Sequence, residues 1–499
     1  MKTQHTARAR LALALALAIG ALCPALAAPA PARADEAAGS EGAYLASEPP
    51  ELASPAALLI EPSTGTVLLE KDADARREPA STTKVMTALV VLEHADLDAE
   101  VTVEESDFDE VTPESSVAGL VAGETLSVRD LLACLLLPSG NDASYVLARY
   151  VGGDWQSFVD MMNAKASELG CAGTHFANPC GLPDDDHYTT ARDLATIMEA
   201  ALAYPEFREI AGSATWDLPA TSGNPARTLE TTVQLLDPES PVYMGEGVVT
   251  AGKTGYTDDA GRCLVASAES DGMTLVGVVL GASGSADAEG VTDNFYDMRS
   301  MFEWGFGAWQ LGAVVSSGDV VGAADVELSD DGESVDAVAT SGVEGVVPRG
   351  TTLADLTLTP SWEGTDPETG AFRAPLEEGQ ALGTVDVALD GRSLGTVGVA
   401  AARAMGLSIP AFVMWWLSDP VHAAIAVAAT VAAFVAIGLV SSAIRRRRRS
   451  RTRYQMAVGQ RHRVEPGTGG RRLDLPSTPR QGRRAPSRGG RHAGRHARR

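Results

Sequence analysis

The sequence predicts an α+β domain, then a small all-β region and one membrane-spanning helix, on three observations. A block of helix-period apolar patterns is framed by strand-like runs before and after it. Beyond that block only short alternating runs rich in Gly and Pro occur. Further on, an apolar stretch without a charged residue meets a block of arginines.

Taken in order, Lys2, Arg8 and Arg10 precede an apolar run over residues 11–22 and small-residue sites such as Ala25-Leu26-Ala27. This is the pattern of a secretory leader, assigned to residues 1–34, and it predicts export. Cys23 follows the large Leu22, which argues against lipidation there. Residues 35–55 read as a flexible segment. Residues 57–60 and 66–70 read as strands joined by the turn-forming Pro62-Ser63-Thr64-Gly65, a hairpin. Pro79 then marks the entry to a helix opened by Ser81, with Val85, Met86, Leu89, Val90 and Leu92 on one face. Further helices are expected over 128–137, 143–150, 155–169 and 192–203, and Thr190 with Asp193 has the spacing of a capping box. Strands over 264–268 and 274–281 flank Asp271-Gly272, a hairpin turn, and a helix over 294–306 closes a domain of residues 56–309. Residues 310–403 form the small β region, with strands over 320–326, 334–339, 381–389 and 394–399.

Residues 404–420 read as juxtamembrane, with Trp415 and Trp416 near one interface, and residues 421–444 as a membrane span. Arg445 to Arg449 follow immediately, and the tail 445–499 holds 19 arginines against only Glu465 and Asp474, about +17. Cytoplasmic flanks collect arginine, so the tail is expected inside and the body outside, as a single-pass membrane protein. Poor in apolar residues, the tail is expected to be disordered. Against a formal net charge of −26 for the 499 residues, removing the tail and the four basic residues of the leader leaves residues 35–444 near −47. Such a surface excludes nucleic acid as its partner.

Three short elements carry chemistry: Ser81-Thr82-Thr83-Lys84, Ser139-Gly140-Asn141 and Lys253-Thr254-Gly255. Helical residues three apart share a face, so Lys84 can place its amine beside the Ser81 hydroxyl, near a helix N-terminus that favours negative charge. A lysine held out of water near other cations sheds its proton more easily and can act as a base. Ser139 and Asn141 fall in a break between helices, where a hydroxyl can relay a proton and an amide can hold a substrate backbone. Lys253 and Thr254 suit a terminal carboxylate, and Gly255 admits close approach to a strand. The backbone N–H groups of Ser81 and Tyr256 are the expected oxyanion donors. Singly these motifs read more often as a cap, a turn and a loop; their order, spacing and context make them one site. Residues 247–254 also satisfy a P-loop pattern, but that motif needs a strand before it and a helix at Lys253, where a strand is expected instead.

The three elements in this order resemble those of penicillin-binding proteins and β-lactamases. With Pro79-Ala80-Ser81, Leu137-Pro138-Ser139, Asn178-Pro179-Cys180-Gly181-Leu182, Lys253-Thr254-Gly255-Tyr256-Thr257 and Trp304-Gly305-Phe306, residues 56–401 look like the D-alanyl-D-alanine carboxypeptidase family. The resemblance implies the penicillin-binding, β-lactamase-like transpeptidase fold. It also implies Ser81 as nucleophile, Lys84 as its base, Ser139 and Asn141 as the second catalytic element, and Lys253, Thr254, Gly255 and Tyr256 as substrate-binding. Neither cofactor nor metal is implied. Peptidoglycan pentapeptide stems would lose their terminal D-alanine, and β-lactam antibiotics would trap the acyl-enzyme. The alternatives are an endopeptidase or β-lactamase of the same fold, or a non-catalytic wall-binding scaffold. Cys180 stands where the family more often shows His or Asn, and Asn294 where many members place an Arg that receives the carboxylate. A Cys171–Cys180 bridge could span the intervening loop, although Cys180 reads better as a free thiol.

Overall fold

The computed structural model describes residues 48–284 and 286–459, with side chains as far as residue 450. The expected leader and the tail beyond residue 459 lie outside them. Of the described residues, those up to Leu407 form one compact unit and those from Ser408 a second.

In the first unit, β1 (Ala56–Glu61) and β2 (Thr66–Lys71) make the expected hairpin, and a 3-10 turn (Ala80–Thr83) leads into α1 (Lys84–His94). The short ladder of β3 (Glu100–Thr102) and β4 (Thr125–Ser127) brackets a long loop. Then come α2 (Val128–Leu136), α3 (Asn141–Gly152), α4 (Trp155–Glu168), α5 (Ala191–Leu202) and α6 (Pro205–Ala211). A second short ladder, β5 (Thr215–Leu218) with β6 (Arg227–Glu230), precedes β7 (Val249–Thr257), β8 (Gly261–Ser270), β9 (Met273–Ala282) and α7 (Asp293–Ala308).

Strands from both ends of this region assemble one antiparallel five-stranded sheet in the order β2-β1-β9-β8-β7, with β7 at an edge. Period-2 alternation loads both of its faces. Leu58, Val265, Val276 and Val278 join the helical cluster built on α1 to α6, while Leu59, Leu264, Leu275 and Val279 meet α7. Asp271 and Gly272 both take positive φ, +51° and +78°, the twist that a two-residue hairpin turn between right-twisted strands requires.

Two local expectations are corrected and one exclusion is met. Thr190 Oγ1 accepts from the Asp193 N–H at 3.0 Å, but the Asp193 carboxylate accepts instead from Gly173 N–H and the Thr174 hydroxyl, so only half a capping box forms. Order begins before Ala56, because the Ser54 N–H and hydroxyl both donate to the buried Asp297 carboxylate. No helix begins at Lys253, which lies within β7, so the P-loop reading is excluded.

The β region holds a six-stranded sheet in the order Thr357–Trp362, Ala381–Leu389, Arg392–Ala401, Ser334–Ala339, Val320–Glu327 and Phe372–Arg373. Thr357–Trp362 was not anticipated because Pro360 interrupts it; at the sheet edge a missing N–H is tolerated. Trp309–Val315 also pairs with Val343–Pro348. In the second unit, α8 (Ile409–Ser418) precedes α9 (Pro420–Gly459). Within residues 420–450 of α9 an 18-residue stretch reaches a mean hydropathy of 2.5, and the helix is long and apolar enough to cross a membrane.

Candidate active site

Ser81 lies not in regular α-helix but in the tighter turn ahead of α1. Side chains three apart eclipse in such a turn, and Lys84 Nζ donates to Ser81 Oγ at 2.8 Å. The turn is entered through Ala80, a non-glycine residue at φ +46°, a conformation costing about 1 kcal/mol. Packing enforces it. Gly181, at φ +90°, presses against the Ala80 carbonyl where any Cβ would overlap, so only glycine fits there.

Lys84 is fully buried, and its Nζ also donates to Asn141 Oδ1 at 2.7 Å and to the Cys180 carbonyl at 2.9 Å. Burial pulls its pKa down to about 8. Two neighbours stay uncharged near neutral pH: burial raises the Cys180 thiol and lowers His187 to about 4. Once neutral, the amine retains two N–H bonds, for Asn141 and Cys180, and turns its lone pair to the Ser81 hydroxyl. That is the arrangement of a base poised on a nucleophile.

Asn141 begins α3, and its Nδ2 donates to Ser115 Oγ at 2.9 Å, which leaves Oδ1 for Lys84. Ser139 takes φ +63° and is buried, its Oγ without a hydrogen-bond partner among the described residues. On β7, Lys253 is fully buried and donates to the Thr254 carbonyl at 2.9 Å. Burial first, then the Lys84 charge, hold it well below the ordinary lysine range. The Thr254 hydroxyl bonds that of Thr232 at 2.6 Å. A Cβ on Gly255 would stand 3.0 Å from the backbone nitrogens of Ser81 and Thr82, so the edge strand passes directly beside the nucleophile's turn. Tyr256 is half exposed; its hydroxyl donates to Asp258, and the Arg262 guanidinium stacks 4.6 Å above its ring.

A cavity of about 560 Å³ has Ser81, Asn141 and Cys180 on its wall, with Ser115 and Tyr256 to Asp259 also lining it, whereas Lys84, Ser139, Lys253, Thr254 and Gly255 lie behind that lining. The arrangement suits acyl transfer to a serine hydroxyl activated by an amine. Among the described residues no group of three or more His, Cys, Asp or Glu is placed to hold a metal ion.

The sequence profile described as D-alanyl-D-alanine carboxypeptidase matches residues 43–284. A D-alanyl-D-alanine carboxypeptidase of Streptomyces sp. K15 is 36% identical over 259 residues, covering 50% of this chain and 88% of that protein. The chain belongs to the D-alanyl-D-alanine carboxypeptidase family. It is a serine hydrolase of the carboxypeptidase type. A D-alanyl-D-alanine endopeptidase of Escherichia coli K12 is 32% identical over 272 residues, 54% of this chain and 83% of that one. Penicillin-binding protein 5 of Haemophilus influenzae shares the fold at a TM-score of 0.53 and 28% identity, covering 72% of this chain and 99% of its own.

Of the eight site residues expected for this family, Ser81, Lys84 and Asn141 form one bonded cluster. Gly255 abuts it, and Thr254 and Tyr256 flank Gly255 on the same strand. Lys253 and Ser139 are not hydrogen-bonded to Ser81. Asn294, read as standing in place of a carboxylate-receiving Arg, is buried and accepts from the Thr292 hydroxyl at 2.5 Å without lining the cavity. Cys134, Cys171, Cys180 and Cys263 are all free thiols, as preferred for Cys180. The loop in question about Cys180 is well formed, because Asn178 Oδ1 accepts from the N–H groups of Cys180, Gly181 and Leu182. Sequence reasoning missed Ser115 and the Cys180 carbonyl, and neither residue type signals its role.

Proposed function

We propose that this chain removes the terminal D-alanine from peptidoglycan pentapeptide stems through an acyl-enzyme on Ser81, and that β-lactams acylate the same hydroxyl. The observation that carries this reading is the 2.8 Å bond between Lys84 Nζ and Ser81 Oγ, with both other Nζ bonds committed elsewhere. Neutral Lys84 takes the Ser81 proton as Oγ attacks the penultimate D-alanine carbonyl. The N–H groups of Ser81 and Tyr256 then receive the oxyanion. Ser139 passes a proton to the departing amine, and water clears the ester.

Lys253 and Thr254 receive the substrate's terminal carboxylate. An arriving anion favours protonated Lys253, so substrate binding and proton uptake by this buried amine are linked. The apolar segment of α9 anchors the protein, with the catalytic unit extracytoplasmic and the arginine-rich tail inside. The 32% identical endopeptidase favours a second reading, in which the same acyl chemistry opens D-alanyl cross-links.

Full-length protein in detergent, incubated with a pentapeptide ending in D-Ala-D-Ala, should release one D-alanine per peptide and take up fluorescent penicillin. Both should vanish in Ser81→Ala. Labelling that survives this substitution refutes the assignment. Cleavage of cross-linked dimers without D-alanine release would select the second reading.

A further inference from the structure

The loop between β3 and β4 forms one side of the catalytic cavity, yet it has little regular structure of its own. Two side chains hold the stretch from Ala118 to Leu120: Asn224 Nδ2 donates to the Gly119 carbonyl at 3.0 Å, and Asp142 gathers the flanking N–H groups. Asp142, in the first turn of α3 and 1% exposed, accepts from Ala118 N–H at 2.9 Å and Ala143 N–H at 2.9 Å through Oδ1, and from Leu120 N–H at 3.0 Å through Oδ2. The loop returns two contacts to the neighbouring residue: the Ser116 carbonyl accepts from Asn141 N–H at 2.8 Å, and Ser115 Oγ accepts from Asn141 Nδ2 at 2.9 Å. Resting on the reading of Lys84 as base, we propose that Asp142 is a positioning residue. It clamps this loop to the head of α3 so that Ser115 fixes the Asn141 amide with Oδ1 toward Lys84.

The chain of cause runs through hydrogen-bond polarity. An amide can present either end; protonated Lys84, a donor only, selects Oδ1, and Ser115 Oγ, which also accepts from Thr112 N–H at 3.2 Å, takes Nδ2 and holds the amide in that sense when Lys84 is neutral. With Oδ1 committed, the Lys84 N–H bonds are directed at Asn141 and Cys180, and its lone pair at Ser81. If the loop slackens, Ser115 withdraws, the amide rotates freely, and the base loses its orientation. In Asp142→Asn an NH2 replaces one acceptor oxygen, so at least one of the three backbone N–H groups loses its partner while side-chain volume is kept. The end of the loop at Glu124 has its own anchor, tied through Asn224 to Gly119. Buried Glu124 pairs with Arg227 at 2.9 Å, and Asn224 Nδ2 bonds both Glu124 and the Gly119 carbonyl. Loss of the Asp142 clamp therefore loosens the catalytic side of the loop without releasing the whole of it.

Asp142 is also the negative charge facing Lys84, opposed by Lys253, while the Cys180 thiol and His187 are neutral near pH 7. Removing that charge favours the unprotonated amine, which moves the midpoint of the pH profile down, a response that loss of packing alone does not give.

The test measures acylation of the full-length protein by fluorescent penicillin for wild type, Asp142→Asn, Ser115→Ala and the double variant, with near-UV circular dichroism to confirm folding. Asp142→Asn should acylate about 10–100-fold more slowly and with a lower pH midpoint. Ser115→Ala should slow the reaction less, and the double variant no further than Asp142→Asn alone, since both act through Asn141. Multiplied effects in the double variant, or a wild-type rate in folded Asp142→Asn, overturn the proposal. If Asp142→Asn does not fold, Ser115→Ala carries the test, and a wild-type rate there overturns it. A pH-independent wild-type rate would instead refute Lys84 as the base, in an arm that leaves the double-variant comparison standing.

Discussion

Acylation of the full-length protein by a penicillin should rise about 50-fold between pH 6 and pH 8 and level off above about pH 9. The size follows from the burial of Lys84, which places its pKa at about 8. The neutral amine is then ~1% of the enzyme at pH 6, ~10% at pH 7 and half at pH 8, and only that fraction can take the Ser81 proton. His187, held at about 4, and the Cys180 thiol, raised by burial, add no inflection near neutrality, and saturating penicillin removes the contribution that Lys253 protonation makes to binding. Pseudo-first-order labelling with fluorescent penicillin across this range reads the profile directly, because the antibiotic's carboxylate stays ionised throughout. A flat profile from pH 6 to pH 8, or a midpoint near the ordinary lysine value of about 10.4, would refute the assignment of Lys84 as the base.

The same shift has a consequence for stability, and its sign is opposite to that of a paired carboxylate. Lys84 is depressed from 10.5 to about 8 in the folded state, so it costs about 3 kcal/mol below pH 8, where the unfolded lysine keeps its proton more firmly. Urea stability should recover by that order as pH rises from 8 toward 10.5. Lys84→Met should lose both this alkaline gain and all penicillin labelling. Gly255→Ala should slow acylation about 10–100-fold, because its Cβ would lie 2.8 Å from the Pro79 carbonyl oxygen and 3.0 Å from two backbone nitrogens, forcing β7 away from Ser81. Asp297→Ala removes the acceptor for Ala53 N–H, Ser54 N–H and the Ser54 hydroxyl, and should cost about 2–4 kcal/mol in a urea titration while leaving the labelling rate unchanged.

What the sequence made legible is what the chain keeps local. Ser81 and Lys84 stand three apart, Lys253, Thr254 and Gly255 share one strand, and the apolar periods of α1 to α5 and of β8 and β9 can be read within single windows. The turn carrying Ser81 was read as α-helix because a 3-10 turn has the same polar spacing, and only coordinates distinguish the two. The left-handed backbones of Ala80 and Ser139 were hidden for a different reason. Neither is Gly or Asn, the residue types that announce positive φ, so tertiary packing imposes the conformation.

The surroundings of the base were the least legible part, and Cys180 shows why. Its side chain differs from the His or Asn more usual in the resembling family, which in the sequence looks like a threat to the site. The group that meets Lys84 is its backbone carbonyl, 96 residues along the chain, and every residue type supplies the same carbonyl. What fixes that carbonyl is Asn178, whose Oδ1 gathers three successive N–H groups, together with Gly181, the one residue that tolerates contact with the Ala80 carbonyl. The departure at Cys180 is therefore chemically mild, and the positions where change would be severe are Asn178 and Gly181. Both organise backbone, so neither carries a side-chain chemistry that marks it in the sequence as part of a catalytic site.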